Sequence, residues 1–210
     1  IGSEFMPTLN EGSYLLMPTS MPHAGVEQNR KVLGQLDMMV SQIPEVDLVV
    51  GKMGRVESAL DPAPISMYEN IINYKPEYHI NQEGHRVRFK SDKEGRFVLT
   101  SGETVSNAEA NDLVRDNDGK YFRNWREHIL SPDDIWDEIV KATKIPGVTS
   151  APKLQPIETR LVMLQTGMRA PMGIKVYGPD LQTIQDFGFQ LENILKEVPS
   201  VKSEAVFADR

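Results

Sequence analysis

The sequence predicts an α+β fold, a ferredoxin-like βαβ-βαβ sandwich followed by an incomplete second βαβ unit. Three observations predict it. An amphipathic helix closes three times on an aliphatic-Pro-x-Val junction: Ile43-Pro44-Glu45-Val46, Ile145-Pro146-Gly147-Val148 and Val198-Pro199-Ser200-Val201. Short strand-like runs flank those helices, and repeated strand–helix–strand units are the mark of small sandwiches of this kind. The 210 residues, 40% hydrophobic and 25% charged, suit one large folded domain or two small ones.

The elements follow in order. Residues 1–5, Ile1-Gly2-Ser3-Glu4-Phe5, read like translated cloning sites and are set aside. After a turn at Asn10-Glu11-Gly12, Tyr14 to Pro18 is a short strand ended by proline, with Leu15 and Met17 on one face. Val26, Leu33, Leu36, Val40 and Ile43 recur at helical spacing and predict a helix from about Gly25 to Gln42. Met38 and Met39 on that helix, and Met53, are expected to pack. Leu48-Val49-Val50 begins a second strand, and Gly51 and Gly54 loosen the chain into a loop through Pro62 and Pro64. Ile65 to Tyr74 alternates as a third strand, with Ile65, Met67, Glu69 and Ile71 on one face and Tyr68, Ile72 and Tyr74 on the other. A dry core would penalise the Glu69 carboxylate, so that end of the strand is expected to meet solvent or a cation.

The stretch that follows is polar and reads as an inserted surface module at about 78–124. A hairpin of Val87–Phe89 with Phe97–Leu99, turned at Asp92-Lys93-Glu94-Gly95, is expected within it. Asp116-Asn117-Asp118-Gly119 hints at a calcium loop, but Val114 and Trp125 fall at its first and twelfth positions, so a plain turn is the better reading. Ser131-Pro132-Asp133-Asp134 starts a helix whose buried side is Ile135, Ile139 and Val140.

Pro156 to Gly167 reads as another short helix, with proline in its first turn, Glu158 at the positive end of its dipole and glycine as its stop. Arg160, Met163 and Gly167 share a face of it. A cation and a thioether together suit the border of a wet cleft better than a core. Ile174 to Tyr177 is a predicted strand, and Asp180 caps a last helix carrying Leu181, Ile184, Leu191, Ile194 and Leu195. The expected division is 6–155 with its inserted module, 156–171 as cleft helix and linker, and 172–210 as the first half of a following subdomain.

Several function classes are disfavoured. No apolar run approaches the roughly 20 residues of a membrane helix. The net charge is -7 and no basic stripe interleaves with aromatics, so nucleic acid is not an expected partner. There is no cysteine, which removes thiolate sites, and no nucleophile–base–oxyanion constellation supports an enzyme. Ten methionines against no cysteine is the oddity. Most methionines fill cores. Met17, Met67 and Met163 each flank a turn or a charged residue, and a site of thioethers alone would select Cu(I) or Ag(I), whereas Zn(II) prefers imidazole, carboxylate or thiolate. Their spacing by itself makes no motif.

Asn10-Glu11-Gly12, Tyr14 to Pro18, Val46, Gly51-Lys52, Gly54-Arg55, Asp61-Pro62-Ala63-Pro64, Arg160 through Met163 and Gly167, and Pro171 with Gly173 to Val176 resemble the CusA type of heavy-metal efflux pump, within the resistance-nodulation-division superfamily. The resemblance covers nearly the whole chain apart from residues 1–5 and the inserted module. It implies a periplasmic porter subdomain plus the beginning of the next, in an inner-membrane pump of a Gram-negative bacterium. It implies Cu(I) or Ag(I) as cargo, held in a cleft by methionines that fall on Met17, Met67 and Met163, with no organic cofactor. Glu69, Arg160 and Arg169 would line the cleft; the last is more usually lysine, and Val162 stands where an acidic residue is common. The helix matching Pro156 to Gly167 is one that tilts when metal binds. The implied partners are a periplasmic adaptor and an outer-membrane channel, with a homotrimeric full pump. Two alternatives stay open: a Zn(II), Co(II) or Cd(II) exporter using Glu69, Asp61 and histidines, or a docking domain with no metal site. His23, His79, His85 and His128 are scattered and read as surface residues.

Overall fold

The structure, a computed structural model, describes residues 9–21, 23–54, 63–106, 110–149, 151–166, 173–201 and 206. Its centre is an antiparallel sheet of β1 (Ser13–Leu16), β3 (Tyr68–Tyr74) and β2 (Val46–Met53), in the spatial order β1-β3-β2. The helix α1 (Val26–Ser41) crosses from β1 to β2, so those two strands run parallel with β3 between them. After α2 (Pro132–Ala142) the chain returns beside β1, where the Leu15 N–H donates to the Leu154 carbonyl at 2.9 Å. A split βαβ with a returning segment on the outer side of β1 is the ferredoxin-like arrangement predicted.

Sheet pleating decides which residues meet the helices. Tyr14 and Leu16 of β1 and Tyr68, Asn70 and Ile72 of β3 point towards α1 and α2 and are buried. Val40, Ile43, Ile135, Trp136 and Ile139 pack with Tyr14, Leu16 and Ile72, and Trp125 and Ile129 close the same core. The repeated Pro junctions share one geometry. Val46 donates its N–H to Ile43 at 3.0 Å, Val148 to Ile145 at 3.1 Å and Val201 to Val198 at 3.0 Å. Proline at the second position presets φ for such a turn, and its missing N–H costs nothing there. At Ser131 the predicted helix start is a capping box, with the Asp134 carboxylate accepting from the Ser131 N–H at 2.8 Å.

The inserted residues build two small ladders, β4 (Arg88–Phe89) with β7 (Lys120–Tyr121) and β5 (Phe97–Val98) with β6 (Thr104–Val105), around Phe89, Leu113 and Phe122. The expected hairpin forms around its turn, with Gly95 at φ 83°, Ser91 bridging Phe97 and the Val98 N–H donating to the Lys90 carbonyl at 3.0 Å, while its two arms each find a further partner, β7 for Phe89 and β6 for Phe97. Asp116 to Gly119 is the plain turn expected.

Three expectations are corrected. Ile174 to Tyr177 is not a strand; among the described residues it has no ladder partner, and a strand needs one to satisfy its backbone. Val26, Met38 and Met39 are exposed; Leu36 and Val40 are buried as expected, and Asn29 and Val32 join them on the inner side of α1. Asn29 was not legible as core because its amide is satisfied by distant partners, accepting from Ser20 and from Tyr68 Oη at 2.6 Å. The last helix, α4 (Leu181–Lys196), has the Asp180 cap expected, yet none of its residues is buried. No helix among the described residues is long and apolar enough to cross a membrane.

Candidate metal site

The sheet has a second face, turned away from α1 and α2, and the candidate ligands lie there. The β1–β3 register pairs Leu16 with Asn70 and continues to a Thr19–Met67 bridge, which sets Met17 opposite Glu69 and diagonally beside Met67. Leu15, Met17, Met67 and Glu69 therefore project to one side. Over them runs α3 (Pro156–Thr166), whose Met163 packs against a cluster of Leu15, Met17, Ala63, Met67 and Leu154. Met17 and Met67 are 4% and 6% exposed, while Met163 is half-buried. The structure thus brings together three methionines spread from position 17 to position 163. The cluster walls, Leu15, Ala63 and Leu154, are apolar; the strand pattern had set Leu15 beside Met17, whereas nothing in the sequence pointed to Leu154.

Glu69 has the cation its position demanded. Its carboxylate lies 3.1 Å from the Lys52 ammonium across the β2–β3 pair. Met17, Glu69 and Lys52 consequently form one row across three strands, so a neutralised ion pair borders the thioethers. Arg160 lies on the solvent-facing edge of α3. It is exposed, whereas Thr159 is buried and shares the inward side of α3 with Met163 four residues on. The offset is small, about one residue around the helix. Arg169, Asp61 and Gly167 lie outside the described residues, as do residues 1–5.

Among the described residues no three His, Asp or Glu side chains come together as a possible metal site. His23, His85 and His128 are exposed; His79 sits half-buried beside Phe89, where burial and then Arg115 lower its pKa from the ordinary 6.5. A cavity lined by Leu16, Val140, Ile145 and Val148 opens on the α2 side and contains none of the candidate ligands.

The whole chain aligns, at 30% identity over 210 residues, with the putative cation efflux system protein SilA of Salmonella typhimurium. It is 29% identical over 203 residues, 97% of its length, to the cation efflux system protein CusA of Escherichia coli K12. The chain is similar along nearly its whole length to heavy-metal efflux proteins of the CusA type. It spans about 15% of the length of these relatives. A more distant relative, at 25% identity over 95% of the chain, is the nickel and cobalt resistance protein CnrA of Cupriavidus metallidurans, of which 14% is covered. The crystal structure of a heavy metal efflux pump superposes on 95% of this chain and 16% of its own with a TM-score of 0.65, at 20% identity. That likeness supports the fold. No family model matches the chain.

Proposed function

We propose that this chain is the periplasmic metal-binding part of a proton-driven exporter in the inner membrane of a Gram-negative bacterium, and that Met17, Met67 and Met163 hold Cu(I) or Ag(I) as cargo. The observation that carries this reading is the convergence of three thioethers, one just after β1, one just before β3 and one on α3, in one apolar cluster. Neutral sulfur suits a soft monovalent ion and needs no deprotonation, so affinity should change little with pH where carboxylates titrate. Met163 rides on a helix laid over the sheet, so moving that helix would open the site and let the ion pass on. Glu69, Arg160 and Arg169 would line the route. In the complete pump we expect an adaptor, an outer-membrane channel and three protomers.

Calorimetric titration of Ag(I) into the chain and into a Met17→Ile, Met67→Ile, Met163→Ile variant, with Zn(II) alongside, tests it. One silver ion bound by the chain, lost in the variant, with zinc inert, is the expected result. Equal silver binding by both proteins, or by neither, refutes the thioether site. The name of CnrA, through its cobalt, favours one second reading, a Zn(II), Co(II) or Cd(II) exporter, which predicts heat with cobalt and none with silver.

A further inference from the structure

The amino end of α3 is held by a residue far away in sequence. Pro156 has no N–H, and the next two amides, Ile157 and Glu158, both donate to one carboxylate, that of Glu11, at 2.8 and 2.9 Å. The fourth, Thr159, donates to the Gln155 carbonyl at 2.9 Å. Every amide of the first turn is thereby satisfied or absent, which short helices ordinarily achieve with a local cap. The anchor is reinforced from Gln155, whose side chain accepts from the Glu11 N–H at 2.9 Å and donates to the Leu9 carbonyl at 2.9 Å. Residues 9–11 lead directly into β1, and Met17 follows its last residue, so this carboxylate fastens the helix carrying one thioether to the strand that leads to another.

We propose that Glu11 is the positioning residue of the methionine cluster: it fixes the pivot of α3 and so sets Met163 against Met17 and Met67. This rests on the metal-site reading for its functional consequence only, since the placement of Met163 is a property of the metal-free chain. The geometry gives leverage. Met163 lies about 10 Å along the axis from Pro156. A swing of about 10° at that pivot moves it by roughly 2 Å, well outside the ~0.5 Å tolerance of a preorganised site. An anionic clamp also suits the positive end of the helix dipole, which neither alanine nor glutamine would reproduce in full.

The test uses the whole chain with 13C-labelled methionine methyl groups, comparing wild type, Glu11→Ala and Glu11→Gln without metal and then with Ag(I). The expected result is that Glu11→Ala loses the Overhauser contacts of the Met163 methyl to Met17 and Met67 and keeps those between Met17 and Met67. Silver affinity should fall roughly 10- to 100-fold, the usual effect of removing a support behind a ligand. Glu11→Gln keeps one acceptor oxygen and should lie between the two. If Glu11→Gln is folded and both variants retain the Met163 contacts, the positioning role is overturned. Altered Met163 contacts together with silver binding to no variant, wild type included, uphold the positioning role and sink the metal reading instead.

Discussion

Removing the Arg126 side chain should cost the chain about 2–3 kcal/mol of stability, and the reasoning runs through one buried carboxylate. The Glu45 side chain is 0% exposed at the turn between α1 and β2. Arg126 reaches it from the end of the inserted module, donating from its backbone N–H at 2.8 Å, from Nε at 2.9 Å and from Nη2 at 2.8 Å. Glu138 of α2 accepts from the same guanidinium at 3.2 Å. Breaking a buried ion pair costs about 3–5 kcal/mol because a charge is left without a partner. Arg126 is 36% exposed and water can enter where its side chain was, so the lower figure applies. Arg126→Ala would be measured by urea unfolding at pH 7 beside the double variant Arg126→Ala, Glu45→Gln. The double variant should be the more stable of the two, since it buries no charge. Burial pushes the pKa of Glu45 up, but the hydrogen bonds from Arg126 outweigh it and the net shift is downward from 4.5. The wild-type contribution is therefore complete above 4.5 and is lost as the pH falls through the lower folded value. In Arg126→Ala the guanidinium's hydrogen bonds and charge are gone and only backbone N–H donors oppose burial, so the downward shift shrinks and that variant should lose less stability than wild type on acidification. A cost below about 1 kcal/mol, or a double variant less stable than the single, would refute the account.

Two further outcomes separate packing from ligation and test a close contact. Met67→Leu conserves volume in the cluster with Leu15, Met17 and Leu154 and should cost less than about 1.5 kcal/mol, whereas Met67→Ala leaves a cavity worth about 2–5 kcal/mol. Both should weaken silver binding alike in calorimetry; if affinity instead tracks unfolding free energy, the sulfur is packing and not a ligand. A Cβ at Gly51 would stand 2.5 Å from Leu33 Cδ1 and 2.6 Å from Asn70 Nδ2, and Asn70 is buried and bonded to Asp37 at 2.7 Å. Gly51→Ala should cost about 1–3 kcal/mol in thermal or urea unfolding, and a neutral result would show that α1 and β3 can part there.

The sequence alone determined the local structure that residue chemistry dictates. Proline at 44, 146 and 199 fixed three identical turns, Ser131-Pro132 and Asp180 fixed two helix starts, and the alternation of Met67, Glu69 and Ile71 against Tyr68 and Ile72 fixed the two faces of β3. These depend on φ preferences and hydrogen bonds between near neighbours. The motif resemblance pointed to the family. What only the tertiary structure decided are the contacts whose partners lie far apart in the chain. The insertion's strands chose partners around Phe122, Asn29 entered the core because Ser20 and Tyr68 satisfy its amide, and Arg160 turned outward when Thr159 and Met163 met the sheet. The gathering of Met17, Met67 and Met163 belongs to the same class. No spacing between them encodes it; it follows from the register of β1 on β3 and from Glu11, which holds α3 across them.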